Sequence, residues 1–302
     1  MDMVKKLLLV DGSAIIHRAY HAMPDLTDRK GRPSGAVYGV ARMMVKAITD
    51  MEPTHLIVAL DRREPTFRKQ LFIGYQAQRP SMEPELVDQY NRARELFDLM
   101  KIMVLDKVGY EADDVIGTVT HKAIDDGFEF VEIVTGDKDL MQLVDDKVKL
   151  FVPQKGMSET AVYDRQAVYD KLGVWPEQVV DFKALTGDNS DNYPGVHGIG
   201  PKTAAFLLAK FKEYPKIWEH LEEVPEKHRF KLEQGREGGD LSYDLARIRI
   251  DVDVDFKWED CVWTEKEEAM REAFGEFGFK SLEKEMVAKQ EKEAEKEQLG
   301  LF

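Results

Sequence analysis

Four short apolar runs in the first half of the chain, at residues 7–10, 55–60, 101–105 and 130–135, are each followed by carboxylates. Asp11 follows the first run and Asp61 the second. Glu111, Asp113 and Asp114 follow the third, and Asp137 and Asp139 the fourth. Runs this short and this apolar read as strands buried on both faces. Between them, residues 37–49 and 83–100 carry apolar residues at helical spacing, with Pro84 in a first-turn position where proline is tolerated. Alternating strands and helices specify an α/β fold with a central, mainly parallel sheet and right-handed crossovers. Ligands of such sheets sit at the carboxyl ends of the strands. Turns favour aspartate, so one or two acids there would mean little. Acids after all four runs point to a site.

Carboxylates gathered at one edge repel one another unless cations lie between them. Hard divalent ions such as Mg²⁺ or Mn²⁺ prefer oxygen ligands. Glu111-Ala112-Asp113-Asp114 reads as the opening of a helix. Acids there also suit the helix dipole, so this motif has a bland reading when taken alone. Thr135-Gly136-Asp137-Lys138-Asp139 sets two aspartates in a tight loop, which alone would suit an Asx turn. Gly187-Asp188-Asn189-Ser190-Asp191-Asn192 adds a third group. Together Asp11, Asp61, Glu111, Asp113, Asp114, Asp137, Asp139, Asp188 and Asp191 are expected to hold two or more Mg²⁺ or Mn²⁺ ions. Two such ions about 4 Å apart activate a water and stabilise the leaving oxygen of a phosphodiester. No histidine has the spacing of a zinc pair or a catalytic triad. His17 and His21 are the one tempting pair, and structural or DNA-facing roles suit them better.

The second half becomes helical after a hairpin of residues 148–152 and 160–163. Helices are expected over 176–185, 203–211 and 240–248. Trp175, Trp218, Trp258 and Trp263 read as core. Gly195-Val196-His197-Gly198-Ile199-Gly200-Pro201-Lys202-Thr203 has the form of a helix–hairpin–helix. Its glycines leave backbone N–H groups open to a phosphate, and Lys202 and Thr203 open a helix whose N-terminus attracts anions. Such a grip reads phosphates rather than bases. The stretch from Asp61 to Arg79 is the one locally basic segment, with Arg62, Arg63, Arg68, Lys69 and Arg79 interleaved with Phe67, Phe72 and Tyr75. Cations for the backbone and aromatics for unstacked bases suit a single-strand channel.

A net charge of −14 would repel nucleic acid, yet the nine site acids and a Glu-rich tail carry much of it. Cys261 is the only cysteine, so an internal disulfide and a thiolate metal site are excluded, and a cytosolic setting follows by default. Cys261 itself reads as a core residue. No run of about 18 apolar residues suggests a membrane span. The N-terminal apolar run is too short for a signal peptide.

These motifs together resemble the 5′ nuclease (flap endonuclease-like) family, most like the N-terminal 5′→3′ exonuclease domain of bacterial DNA polymerase I. The resemblance is carried by Leu9-Val10-Asp11-Gly12, Arg18-Ala19-Tyr20-His21-Ala22, Ala36-Val37-Tyr38-Gly39 and Thr66-Phe67-Arg68. It continues through Tyr110-Glu111-Ala112-Asp113-Asp114, Thr135 to Asp139, and Ala184-Leu185-Thr186-Gly187-Asp188 on to Lys202-Thr203-Ala204. It implies a PIN-like domain with a helical arch over residues 1–175, a helical helix-three-turn-helix DNA-binding domain over 176–283, and a charged tail over 284–302. It implies a divalent-metal 5′→3′ exonuclease or 5′-flap endonuclease of replication and repair. DNA with 5′ flaps or 5′ ends, and RNA primers, would be its substrates. A K⁺ ion at the hairpin, a monomeric state and a cytoplasmic, nucleoid-associated location are part of the same expectation. Arg18, Phe67, Arg68, Lys69, Tyr75, Gly195, Gly198, Gly200, Lys202 and Thr203 are the expected DNA contacts.

One position departs from the family. The arch helix normally reads Tyr-Lys-Ala-x-Arg, and here it is Tyr75-Gln76-Ala77-Gln78-Arg79. Gln76 and Arg79 hold the catalytic places of the arch, but Gln76 brings no charge to the scissile phosphate. Losing one such contact typically costs about 10²–10³ in rate. The expectation is a slowed enzyme; the alternative is a catalytically weakened module that binds DNA junctions and the sliding clamp. The chain ends Gln298-Leu299-Gly300-Leu301-Phe302, which resembles the bacterial clamp-binding peptide with a glycine at its middle position. Gln298, Leu299, Leu301 and Phe302 would be the partner contacts.

Overall fold

The computed structural model describes residues 4–23, 26–28, 30–154, 159–263 and 266–284. Within these, the four apolar runs become strands: β1 (Lys6–Asp11), β2 (His55–Ala59), β3 (Met103–Leu105) and β4 (Phe130–Val134). The hairpin strands β5 (Val148–Pro153) and β6 (Thr160–Tyr163) complete one sheet in the order β3-β2-β1-β4-β5-β6. The first five strands pair in parallel, and β6 runs antiparallel at the edge.

Both faces of β1 are covered, which is why its run is unbroken. Leu8 and Val10 face one core with α1 (Gly12–Ala22), α2 (Gly35–Met51) and α4 (Pro84–Leu99). Leu7 and Leu9 face the other core with α5 (Ala112–Asp125). The chain leaves β1 toward β2 and β3, then crosses through α5 to β4 on β1's other side. The strand order therefore reverses between β1 and β4. At such a switch point neighbouring loops diverge and leave a crevice. Asp11 ends β1, and the Thr135–Asp139 turn follows β4 at that crevice.

The family resemblance leads one to expect a helical arch between β2 and α4. The structure instead has one short helix, α3 (Phe67–Leu71), followed by turns. The helical half is α6 (Arg165–Leu172), α7 (Val179–Thr186), α8 (Pro201–Phe211), α9 (Tyr214–Glu219) and α10 (Glu226–Ala246). The helix expected from 176 begins with a 3₁₀ turn at Pro176–Gln178. The helix expected at 240–248 is the end of α10, which starts fourteen residues earlier. Gly235, Gly238 and Gly239 hide that start, because glycine weakens an isolated helix. They are needed for packing. A Cβ on Gly238 would come within 2.6 Å of the Gly195 carbonyl oxygen, and one on Gly235 within 2.8 Å of Val196.

Past α10 the chain does not stay in the helical half. Ile248, Val252, Val254 and Cys261 pack into the α5 core, with α11 (Trp258–Cys261) beside β2. Trp263 and α12 (Glu267–Phe277) then pack into the α1/α2/α4 core. Residues 248–282 thus pack on the two faces of the sheet rather than in the helical half.

Candidate active site

Seven of the nine singled-out acids line one cavity of about 650 Å³ at the switch point. They are Asp11, Asp61, Glu111, Asp113, Asp137, Asp139 and Asp191. Asp11 also caps α1: its Oδ1 accepts from the Ala14 N–H at 2.9 Å and its Oδ2 from the Thr135 hydroxyl at 2.7 Å. Asp61 is set by two contacts. Its N–H donates to Ser13 Oγ and its Oδ1 accepts from the Ala112 N–H, both at 2.8 Å. Glu111 caps α5 and leaves Asp113 in that helix's first turn.

Burial and mutual repulsion raise Asp11, Glu111 and Asp113. Burial first, then Asp61 and Asp137, push Asp11 up to about 7. Burial, with Asp61, Asp114 and Asp191 nearby, raises Glu111 to about 7 against the pull of Arg68. Asp113 is raised well above the usual range by burial and by Asp137, Asp11 and Asp139. The acids stay spread rather than closing on one point. Among the described residues, the one trio whose ligand atoms lie within 4.8 Å of one another is His220, Glu222 and Glu223. That trio is exposed in the helical half, where Glu223 pairs with Lys210.

The remaining two acids are elsewhere. Asp114 is fully buried behind the cleft and accepts both guanidinium arms of Arg68, at 2.7 and 2.8 Å, and the Arg249 N–H at 2.9 Å. Its oxygens are taken up by Arg68 and by the Glu111 and Arg249 N–H groups, and it does not line the cleft with the other acids. Asp188 lies in an adjoining hollow with Asp139 and Lys183. Burial opposes its ionisation, but Lys183, Ser190 and the Asp191 N–H bring Asp188 down to about 2. Asp139 shares the same lysine and is nonetheless raised to about 6, because its burial and Asp137 outweigh that pairing.

Several expected DNA contacts are also occupied. Arg68 is 2% exposed and serves the fold rather than an open channel. Phe67 lies between two guanidiniums, 4.6 Å from that of Arg68 and 4.8 Å from that of Arg249. Tyr75 is buried, and its hydroxyl donates to Glu111 at 3.1 Å and Asp191 at 3.2 Å. Arg79 pairs with Asp191 at 2.5 Å, and Gln76 donates to it through its backbone N–H at 2.9 Å and its carboxamide at 3.3 Å. The arch segment is thus strapped over the acids through Asp191. Lys69 is exposed at the cleft, whereas Arg18 is half-buried on α1 and does not line it.

The hairpin also lies outside the cleft lining. Gly200 caps α8, with Lys202 exposed and Thr203 half-buried in its first turn. Gly195 needs its glycine for packing: a Cβ would sit 2.2 Å from the Gly187 nitrogen. Gly200 has open space around it, and Gly198 adopts φ +80°. The Lys231 ammonium donates to the Gly198 carbonyl at 3.0 Å.

Two family models match residues 6–269 in succession. Residues 6–173 match the 5′-3′ exonuclease N-terminal resolvase-like domain, and residues 174–269 match the 5′-3′ exonuclease C-terminal SAM fold. The chain belongs to the 5′-3′ exonuclease family. DNA polymerase I of Bacillus caldotenax is 41% identical over 286 residues, covering 94% of this chain and 32% of that protein. The chain therefore spans about a third of the length of that relative. A 5′-3′ exonuclease of Bacillus subtilis is 36% identical over 263 residues, covering 86% of this chain and 88% of its own. Among solved structures, the bacteriophage T5 D15 flap endonuclease, in complex with DNA and metal ions, superposes with a TM-score of 0.66. It has 21% identity, with 94% of this chain and 98% of that one covered.

The cleft suits hard divalent ions on its own chemistry. Seven of the nine acids offer carboxylate oxygens there; His17, His21, Arg62, Arg63, Arg68, Lys69 and Arg79 share the lining, and Lys183 reaches Asp139 from the adjoining hollow. No described helix is long and apolar enough to cross a membrane. Three contributors escape a sequence reading: Thr135 and Ser13, which orient Asp11 and Asp61, and Lys183. The signal for Lys183 was a single lysine inside the apolar stretch of α7, five residues before Asp188.

Proposed function

We propose that the protein is a structure-specific 5′ nuclease that cleaves DNA at 5′ flaps and 5′ ends, in replication and repair. The observation that carries this is the convergence of seven acids from separate chain segments into one cleft beneath the arch segment. A PIN-like description of the sheet and its acidic edge is part of this reading. Asp11, Asp61, Glu111, Asp113, Asp137 and Asp139 would hold two Mg²⁺ or Mn²⁺ ions, with Asp191 joining once the arch strap releases it. When bound, such ions activate water and stabilise the leaving oxygen. Thr135, Ser13 and the α5 N-terminus hold the acids in place. Lys69 and Arg79 meet the phosphates of the 5′ strand at the cleft. Gly198, Gly200, Lys202 and Thr203 grip the duplex beside it. A labelled 5′-flap duplex is expected to be cut with Mg²⁺ and left intact with EDTA. Binding without cleavage under both conditions would select the rival reading, a weakened junction-binding module.

Gln76 supports that rival in part. With no ammonium at this arch position, cleavage is expected to be slow. Gln76→Lys should raise the single-turnover rate, by up to about 10² on the scale of one electrostatic contact. An unchanged rate would show that the glutamine is no deficit.

RNA-primed 5′ ends as substrates and a K⁺ ion at the hairpin belong to the same proposal and rest on the family resemblance. Failure to cut an RNA-primed end removes the first. Duplex affinity that is the same in K⁺ and in Na⁺ removes the second. A sliding clamp is the proposed partner of Gln298, Leu299, Leu301 and Phe302, which lie outside the described residues. Deleting residues 298–302 is expected to abolish binding to a bacterial clamp in a titration while leaving flap cleavage intact. Unchanged clamp affinity sinks that part.

A further inference from the structure

Lys183 projects from α7 to the turn that carries Asp137 and Asp139. Its ammonium donates to Asp139 and, at 2.8 Å, to Asp188. The lysine side chain is 13% exposed and the two carboxylates 18% each, so this is an enclosed triad rather than a solvated surface pair. Tyr193 stands beside it, 3% exposed, with a buried hydroxyl that has no hydrogen-bond partner among the described residues. Buried hydroxyls without a partner are uncommon. Asp139 also lines the main cleft, so the triad is continuous with the metal centre proposed above.

We propose that Lys183 is the built-in counter-ion of the Asp139–Asp188 edge, and that a divalent ion drawing on both carboxylates must displace it. This rests on the reading of the cleft as a metal centre. A cation tethered in the chain and a free cation compete for the same oxygens, and they cannot both be neutralised by them. Lys183 is thus a positioning residue that limits metal occupancy at this edge while the site waits for substrate. An arriving phosphodiester offers the ammonium another anion. DNA and the edge-bound ion are then recruited together, by the reciprocity that links any two ligands.

The test is a Mn²⁺ titration of the metal-free full chain, counting bound ions from the electron paramagnetic resonance of free Mn²⁺. Lys183→Met is expected to hold one more tight ion than the wild type, or to bind at this edge about 10-fold more tightly or better, within the range usual for linked sites. Mn²⁺ should also raise its melting temperature by more than it raises that of the wild type. Lys183→Arg keeps the charge and should behave as the wild type. A purely structural lysine predicts a different result: a lower melting temperature with Mn²⁺ binding unchanged or weaker, and that outcome overturns the proposal. If Lys183→Met does not fold without metal, Lys183→Gln keeps a hydrogen-bond donor without the charge, and the same two outcomes decide. A wild type that takes up no Mn²⁺ at all would instead remove the metal-centre reading itself.

Discussion

Asp113→Asn is expected to lose more than about 10²–10³-fold in cleavage rate, taking the loss of one electrostatic contact as a lower bound, and to gain thermal stability when metal-free. Both signs come from one cause. Asp113 is raised well above the carboxylate range by burial and by its neighbours Asp137, Asp11 and Asp139. Its charge is a liability in the fold until a cation arrives. The amide removes the charge and keeps the shape. The same physics sets a pH dependence. Folded Asp11 and Glu111 keep their protons up to about 7, and Asp139 up to about 6. Unfolded carboxyls release theirs near about pH 4. Across that interval the folded chain binds more protons than the unfolded one, so metal-free stability falls as pH rises through it. Mg²⁺ binds the deprotonated acids, so its stabilising effect is greater at about pH 7.5 than at about pH 5. Melting curves of wild type and Asp113→Asn, with Mg²⁺ and with EDTA, check all of this. A variant less stable than wild type in EDTA would show that repulsion does not dominate the cleft.

The acids that end β1, β2 and β4, or lead into α5, were legible because each follows a strand covered on both faces. Such strands carry few polar positions, Glu132 in β4 among them, so the carboxylates just past their ends stand out in the sequence. The partners of those acids were not legible. Arg68 and Asp114 are 46 residues apart, Arg79 and Asp191 are 112 apart, and Lys183 and Asp139 are 44 apart. No local pattern records which cation meets which carboxylate. Asp114 shows the consequence. Its spacing from Glu111 placed it with the metal acids, yet one helical turn aims the two carboxylates differently, and Asp114 closes a capping box and a buried ion pair. The start of α10 was hidden by glycines that helix propensity counts as breakers and packing requires. The wrap of residues 248–282 onto the sheet was hidden for a different reason. Its buried Val252, Val254 and Trp263 read equally well as the core of a helical domain.

Arg68→Met is expected to destabilise the protein by about 3–5 kcal/mol, the usual cost of stranding one member of a buried ion pair. All five N–H groups of this guanidinium are used. Nε donates to the Leu245 carbonyl at 2.8 Å, and one arm reaches Glu111 at 3.1 Å and Asp114 at 2.7 Å. The other arm reaches Asp114 at 2.8 Å and the Arg247 carbonyl at 3.0 Å. Arg68 therefore ties α3 to the start of α5 and to the chain leaving α10. No donor is left over for a phosphate. Asp114 is 0% exposed, so its charge in the variant has no water to turn to. Asp114→Leu alone should cost a similar amount by stranding the arginine. The double variant Arg68→Met/Asp114→Leu should recover part of the loss, since a buried pair replaced by apolar groups is often neutral. Recovery stays incomplete because Asp114 also accepts the Glu111 and Arg249 N–H groups. Urea unfolding midpoints of the four proteins complete the cycle. If Arg68→Met unfolds at the wild-type midpoint but loses duplex affinity, the arginine belongs to the DNA channel, and its buried pairing here is not what holds these three segments together.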